Sequence, residues 1–130
     1  MPNFNSASDY YREKYGERIQ KIPVNAGFSC PNRDGTLSFD GCSYCNNDSF
    51  SPFYTSNACS IVEQLEKGAS FYAKRYNCRR FWAYFQSFSN TYSDVQNLHT
   101  KYSQALSLPF IEGLIIATRP DCINDSVVDL

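Results

Sequence analysis

The sequence predicts an α/β fold of about three β/α units that form part of a (β/α) barrel. Three apolar runs are the first observation, since such runs are typical of strands covered on both faces of a parallel sheet. They occupy residues 21–28 (KIPVNAGF), 79–88 (RRFWAYFQSF) and 112–118 (EGLIIAT). The second observation is that an amphipathic helical pattern separates each run from the next. This alternation indicates parallel β/α units.

The three predicted strands differ in how their apolar residues are arranged. In the first, Ile22, Val24 and Ala26 alternate with other residues. The second is continuously apolar over residues 81–85, and the third over residues 114–117. Continuous runs of this kind predict strands that are buried on both faces.

Two helices are predicted between the strands, and a third begins near the end of the chain. Residues 60–76 and residues 93–106 both carry apolar side chains at spacings of three and four, which places them on one face of a helix. Ser93 is the predicted N-cap of the second helix, because a serine side chain accepts hydrogen bonds from a first helical turn. The third helix starts near Asp125.

At 130 residues, the chain has the size of one ordinary domain. A complete β/α barrel requires about 250 residues, and the last helical pattern stops after about one turn. We therefore divide the chain into an N-terminal segment, residues 1–20, and the N-terminal part of a larger core domain, residues 21–130. A complete small three-stranded α/β domain is the alternative.

Charge and composition exclude several classes of protein. Twelve basic and thirteen acidic residues give a net charge of −1, which provides no electrostatic drive toward nucleic acid or an anionic membrane. No apolar run approaches the roughly 18 residues of a membrane span, and the start of the chain lacks the apolar stretch of a secretory signal. We therefore expect a cytoplasmic protein whose six cysteines stay reduced and serve metal binding or chemistry. Three extracellular disulfides are the alternative.

Half of the cysteines lie in one motif, CPNRDGTLSFDGCSYC, which runs from Cys30 to Cys45. It directly follows the first predicted strand, and loops at the carboxyl ends of strands carry the active sites of β/α folds. Turn-forming residues at 34–35 and 40–41 allow the eleven residues between Cys30 and Cys42 to fold back. Thiolates are soft ligands that select zinc, copper(I) or iron–sulfur clusters. Three thiolates leave one metal position open to a substrate or cofactor.

Four separated segments resemble a known family. The segments NAGFSCPNRDGT, GCSYCNNDSF, YFQSFSNTY and ATRPDCI, in this order, are similar to those of radical S-adenosylmethionine (SAM) enzymes of the YhcC-like branch, relatives of the Elp3 radical SAM domain. The resemblance extends from about Lys21 to the end of the sequence. The first cysteine spacing is eleven residues here, whereas three is usual in that superfamily.

The resemblance implies a partial barrel of the radical SAM type and a 4Fe–4S cluster on Cys30, Cys42 and Cys45. SAM would chelate the fourth iron through its amino and carboxylate groups. One electron, supplied by a donor such as flavodoxin or ferredoxin, would cleave SAM to methionine and a 5′-deoxyadenosyl radical. The protein would supply binding, orientation and exclusion of water. The resemblance names no substrate.

The resemblance also implies where SAM makes contact with the chain. Tyr44 occupies the aromatic position that lies near the adenine in such enzymes, although an aromatic residue that packs on the cluster fits that position equally. The end of the second strand meets the methionyl amino group in the family. That place is held here by QSFSNT, so Gln86, Ser89, Asn90 and Thr91 are the candidate contacts.

Two alternative interpretations of the cysteines stay open. Cys59 could complete a four-cysteine zinc site in a non-enzymatic module, or the chain could be an inactive fragment that keeps the cluster loop. Otherwise Cys59, Cys78 and Cys122 are predicted to be small buried hydrophobes. Of the three, Cys122 has the best claim to lie near the site, because it follows the third strand. Arg119 and Asp121 could hold an anion or form a local salt link. The remaining expectations are that His99 faces solvent and that the tyrosines at positions 10, 11 and 15 pack the N-terminal segment against the barrel.

Overall fold

The computed structural model of the chain describes residues 3–28, 31–32, 34–41, 43 and 60–130. Helices and strands alternate along the described chain after an N-terminal helix. A 3₁₀ turn precedes the last helix, and the whole order is α1 (Ala7–Tyr15), β1 (Ile19–Val24), α2 (Ile61–Tyr76), β2 (Arg80–Phe85), α3 (Val95–Leu106), β3 (Ile111–Ile116), the 3₁₀ turn (Pro120–Cys122) and α4 (Asp125–Val128).

The described strands form one parallel sheet in the order β1-β2-β3. Ile22 of β1 pairs with Ala83 of β2, which in turn pairs with Leu114 of β3. The register shifts once, between Phe81 and Trp82, where the facing strand β3 has one additional residue. The predicted parallel order of the three apolar runs is therefore confirmed.

The predicted partial (β/α) barrel is wrong. Within the described residues the sheet is open, small and three-stranded, with β1 and β3 at its two edges and four helices around it. A barrel closes only when enough tilted strands return the last one to the first, and the β/α type uses eight. The strands predicted to be buried on both faces are not: β2 alternates buried and half-buried residues, and β3 is half-buried after Ile111.

One face of the sheet forms the hydrophobic core with α2 and α3. Its centre consists of side chains that are fully shielded from solvent, among them Ile22, Ala83 and Phe85 from the strands, with Leu65 from α2 and Leu98 from α3. Burying a large apolar side chain contributes about 1.5–3 kcal/mol. The spacings of three and four that predicted α2 and α3 therefore mark the faces that pack on the sheet.

The other face is covered in part by α1, which the sequence analysis did not predict as a helix. Its Tyr11 and Tyr15 rings lie 5.8 Å and 6.1 Å from the ring of Trp82 in β2. Trp82 in turn lies over Gly113 of β3, where an added Cβ would be 2.4 Å from the indole ring. Tyr11 and Tyr15 thus pack the N-terminal segment against the sheet, as expected, although the sheet is open. Tyr10 is exposed and contacts Tyr11 instead, so the expectation is wrong for it.

The helix ends follow local capping chemistry. Asp94, rather than the predicted Ser93, is the N-cap of α3, and its side chain accepts a hydrogen bond of 2.9 Å from the backbone N–H of Asn97. Ser93 accepts a bond from the Asn97 side chain instead, at 2.6 Å. The predicted cap is therefore wrong by one residue. Among the described helices, none combines the length and the apolar character needed to cross a membrane.

Candidate functional site

Three chain segments meet at the carboxyl edge of the sheet, because the carboxyl ends of parallel strands lie at the same edge. They are residues 25–28 after β1, residues 86–92 after β2 and residues 117–122 after β3. Residues 31–32 and 34–41 of the cysteine motif are also described, and Thr36 among them contacts this edge. We call these motif residues the spacer, since in sequence they lie between Cys30 and Cys42.

The exit from β1 is held by side chains from two helices. The carboxamide of Gln64 in α2 accepts a hydrogen bond from the backbone N–H of Asn25 and donates one to the Asn25 carbonyl, both at 2.8 Å. Lys101 of α3 donates to the carbonyl of Ala26 at 2.5 Å. Its ammonium also lies 5.3 Å from the centre of the Phe28 ring. The backbone that leads toward Cys30 is thereby fixed on the sheet.

The spacer is closed on itself. The backbone N–H of Leu37 donates to the Pro31 carbonyl at 2.8 Å, and that of Gly41 donates to the Asn32 carbonyl at 2.7 Å. Gly35 has a φ of +91°, which glycine adopts without the steric cost that other residues carry. The predicted turns therefore bring Gly41 back beside Asn32. Asn32 lies two residues after Cys30 in the sequence, and Gly41 immediately precedes Cys42.

Tyr92 ties the spacer to the end of β2. Its hydroxyl lies 3.0 Å from the hydroxyl of Thr36. The Tyr92 hydroxyl, followed by the backbone N–H of Thr36, lowers the pKa of Asp34 by bonding to its charged form. The spacer thus docks beside the turn that follows β2.

That turn contains a cluster of buried polar side chains, consisting of Ser87, Ser89, Asn90 and Thr91. Asn90 is fully shielded from solvent, and its Nδ2 donates to the carbonyl of Ala117 at 2.9 Å. The hydroxyl of Tyr102 donates to the Asn90 backbone carbonyl. Asn90 Oδ1 is buried without a hydrogen-bond partner in the described structure. A buried acceptor without a donor is costly, so this atom marks a place where a ligand donor would be favourable.

The same turn is bonded to the chain after β3. The hydroxyl of Thr91 donates to the Cys122 carbonyl at 2.5 Å and lies 2.6 Å from the Thr118 hydroxyl. Because Thr91 has one hydroxyl proton, Thr118 must be the donor in the second bond. Phe88 adopts a φ of +66°, a conformation that costs a residue with a side chain about 1–3 kcal/mol. Such strain persists only where surrounding bonds hold it, as they do here.

The structure places the predicted SAM contacts in two groups. Ser89, Asn90 and Thr91 are buried within the turn after β2, whereas Gln86 is half-buried at the end of that strand. The predicted cluster ligands Cys30, Cys42 and Cys45 lie outside the described residues. Tyr44 and Cys59 lie outside them too. Among the residues that are described, no group of three or more His, Cys, Asp or Glu side chains could hold a metal ion.

The structure also describes the two other cysteines, the Arg119–Asp121 pair and His99. Cys78 is buried, as predicted, and burial raises the pKa of its thiol. Cys122 is only half-buried, so the same prediction is wrong for it. Arg119 and Asp121 form a two-bond ion pair at 2.9 Å and 2.7 Å, which favours the local salt link. His99 is exposed on α3, as expected.

Sequence reasoning missed three residues that shape this edge: Gln64, Tyr92 and Lys101. The signal for Gln64 was available, because it lies three residues after Ile61 and so on the apolar face of α2. Lys101 likewise lies three residues after the buried Leu98 of α3. A polar side chain on an apolar helix face is predicted to be buried and to form hydrogen bonds there. Tyr92 carries no comparable signal.

Comparison with known proteins finds similar sequences whose names indicate no activity. YhcC of Escherichia coli K12 is 43% identical over 117 residues, which cover 90% of this chain and 37% of YhcC. The uncharacterized YtqA of Bacillus subtilis is 33% identical over 126 residues, 97% of this chain and 39% of YtqA. The uncharacterized MJ0486 of Methanocaldococcus jannaschii is 31% identical over 123 residues, 93% of this chain and 37% of that protein.

The chain therefore spans between 37% and 39% of the length of these three relatives. No model of a protein family matches it. No solved structure matches it either. The similarity relates the chain to one part of longer proteins.

Proposed function

We propose that the chain carries the iron–sulfur and SAM-binding part of a radical SAM enzyme, with Cys30, Cys42 and Cys45 as the cluster ligands. The observation that carries this proposal is the closure of the spacer between Asn32 and Gly41. This closure brings Gly41, which precedes Cys42, close to Asn32, which follows Cys30 by two residues. Cysteines on both sides of the spacer can bind one metal centre only if the two ends of the spacer lie close together. The spacer also docks at the carboxyl edge of a parallel sheet, where ligands bind in open α/β folds.

The donor chemistry of the chain fits such a cluster. Three thiolates leave one iron of a 4Fe–4S cluster without a protein ligand, and SAM carries an amino and a carboxylate group that can bind there. When bound, the cluster would supply the electron that cleaves SAM reductively. A donor such as flavodoxin or ferredoxin would deliver that electron. A reducing compartment, the cytoplasm, would keep the ligand cysteines free of disulfides.

Residues of the turn after β2 would hold and orient the methionyl part of SAM. Gln86 is half-buried and lies at the end of β2, so we assign it the first contact with this group. Ser89, Asn90 and Thr91 are buried, and we assign them to shaping the turn. Asn90 has a second role in this proposal, because its Oδ1 has no partner among the described residues and would accept a bond from the amino group. Tyr44 stays the predicted neighbour of the adenine.

The test is anaerobic reconstitution of the full chain with iron and sulfide. We expect bound iron and acid-labile sulfide in similar amounts, and loss of both in Cys45→Ser. Formation of 5′-deoxyadenosine from SAM with dithionite then measures cleavage, with Cys45→Ser as the blank. Stoichiometric zinc without iron uptake would refute the proposal and favour the four-cysteine zinc module.

The Cys59→Ser variant separates these two site chemistries directly. It should keep its iron if the three motif cysteines form the site. It should lose all metal if Cys59 is a fourth ligand. An iron-loaded chain that forms no 5′-deoxyadenosine would support the third reading, an inactive part that keeps the cluster loop.

A further inference from the structure

We propose that Gln64 and Lys101 are positioning residues for the metal site, because they fix the backbone that enters the cysteine motif. This inference rests on the proposed function for the identity of the metal. The positioning of residues 25–28 by α2 and α3 rests on described hydrogen bonds. Neither side chain belongs to the proposed ligand set, so both would act through the chain they hold.

Gln64 bonds to the backbone just beyond the end of the described β1–β2 ladder. The pairing of β1 with β2 ends at Val24 and Phe85, so the next residue, Asn25, lies beyond the ladder. The carboxamide of Gln64 pairs with both backbone groups of Asn25, as a strand would. The side chain is only 2% exposed, so water cannot readily take over these bonds when it is removed.

Lys101 holds the next peptide unit from the other helix. Its ammonium donates to the Ala26 carbonyl, and a hydrogen bond from a charged donor is stronger than one between neutral groups. The same ammonium lies over the ring of Phe28, which is 7% exposed. A cation over an aromatic ring adds to the attraction. One side chain thus secures both Ala26 and Phe28.

Gln64 and Lys101 together contact Asn25, Ala26 and Phe28, which lie two to five residues before Cys30 in the sequence. Gly27, between the two residues that Lys101 contacts, has a φ of +79° and donates its N–H to the Asn25 side chain at 3.0 Å. Cys30 follows Phe28 by two residues in the sequence. Binding sites keep their geometry when a second set of residues locks the elements that carry the ligands. Gln64 and Lys101 have that place in this fold.

The experiment uses the full chain and four variants. Gln64→Leu and Lys101→Met remove the two holds, and Lys101→Arg keeps a charged donor. Lys74→Met is the matched control, since Lys74 is an exposed lysine of α2. After reconstitution, the rate of iron release to an excess of chelator is measured, with urea unfolding to compare global stability. In metal-free protein, hydrogen exchange of the Asn25 amide is measured by NMR.

We expect Gln64→Leu and Lys101→Met to release iron at least about fivefold faster than the unaltered chain, and Lys101→Arg and Lys74→Met to stay close to it. Asn25 exchange should also accelerate about fivefold in Gln64→Leu. Rescue by arginine would separate positioning from a loss of packing. Equal release rates from the loaded chain and both variants would overturn the inference and leave the proposed function intact.

A reconstituted chain that takes up no iron and sulfide would refute the proposed function itself. The exchange measurement then decides whether the backbone is held. Faster exchange at Asn25 in Gln64→Leu would support the hold, and unchanged exchange would overturn it.

Discussion

The hydroxyl of Tyr102 is a sensitive test of how the candidate site is built. It is buried in the core between α3 and the sheet, and it donates to the carbonyl of Asn90 in the polar turn. Burial raises the pKa of Tyr102 from its ordinary value of 10.0 to about 12. The folded chain therefore keeps the phenol proton at a pH at which the unfolded chain has released it.

The sign and size of the effect follow from this difference. Below pH 10 the phenol is protonated in both states and its contribution to stability is complete. Between pH 10 and pH 12 the unfolded state alone loses the proton, so stability falls as the pH rises. At pH 11 the loss from Tyr102 amounts to about 1.4 kcal/mol, since one pKa unit corresponds to that free energy.

The assay is urea unfolding of the unaltered chain and of Tyr102→Phe at pH 7, 9 and 11. At pH 7 the variant should be less stable by about 1 kcal/mol, because the bond to Asn90 is missing. At pH 11 the difference should vanish or reverse, because only the unaltered chain has lost the Tyr102 contribution. The comparison isolates this hydroxyl, because the two chains differ only there. A difference that stays constant from pH 7 to pH 11 would refute the reasoning.

Three further changes test the turn, the sheet and the proposed ligands. Asn90→Asp should cost about 3 kcal/mol at pH 7, because a buried carboxylate would face the Ala117 carbonyl, and stability should recover as the pH falls toward 4. Gly113→Ala should cost about 1–3 kcal/mol in urea unfolding, because its Cβ would overlap the ring of Trp82. Cys78→Ser should keep the reconstituted iron that Cys45→Ser loses.

Each of these has an outcome that contradicts it. An Asn90→Asp variant with unchanged stability at pH 7 would mean that this side chain is not enclosed by carbonyls. A neutral Gly113→Ala change, with unaltered Trp82 fluorescence, would mean that the indole does not lie on the glycine. Loss of iron from Cys78→Ser would place a fourth cysteine in the metal site.

The predicted elements that the structure confirms are those encoded locally. The helix predicted at residues 60–76 is found at Ile61–Tyr76, because its apolar face and its serine cap lie within the segment. The third strand begins earlier than predicted, at Ile111, because Phe81 of the neighbouring strand pairs there. Helix α1 was missed because none of its residues is fully buried and its contact with the sheet is made by tyrosines, which gave no aliphatic pattern at helical spacing.

The features that could not be predicted depend on contacts between distant residues. Whether a sheet closes depends on how many strands are present and how they tilt, and no single strand encodes that. The hold of Gln64 on Asn25 joins residues 39 positions apart, and the contact of Tyr92 with Thr36 joins residues 56 apart. Residue spacing in the sequence could indicate which polar side chains are buried. It could not indicate their partners.

The closed spacer has a consequence for the length of the cysteine motif. A flexible loop of eleven residues costs about 1 kcal/mol more entropy to close than one of three residues. Here the bonds from Leu37 and Gly41 to Pro31 and Asn32 restrict the spacer before any ligand binds, so much of that entropy is lost during folding. For the proposed metal site, the connection between Cys30 and Cys42 would then behave as a short one that is closed between Asn32 and Gly41. Residues 39–40, which lie between the two closing bonds and include the exposed Phe39, could therefore change at little thermodynamic cost to that closure.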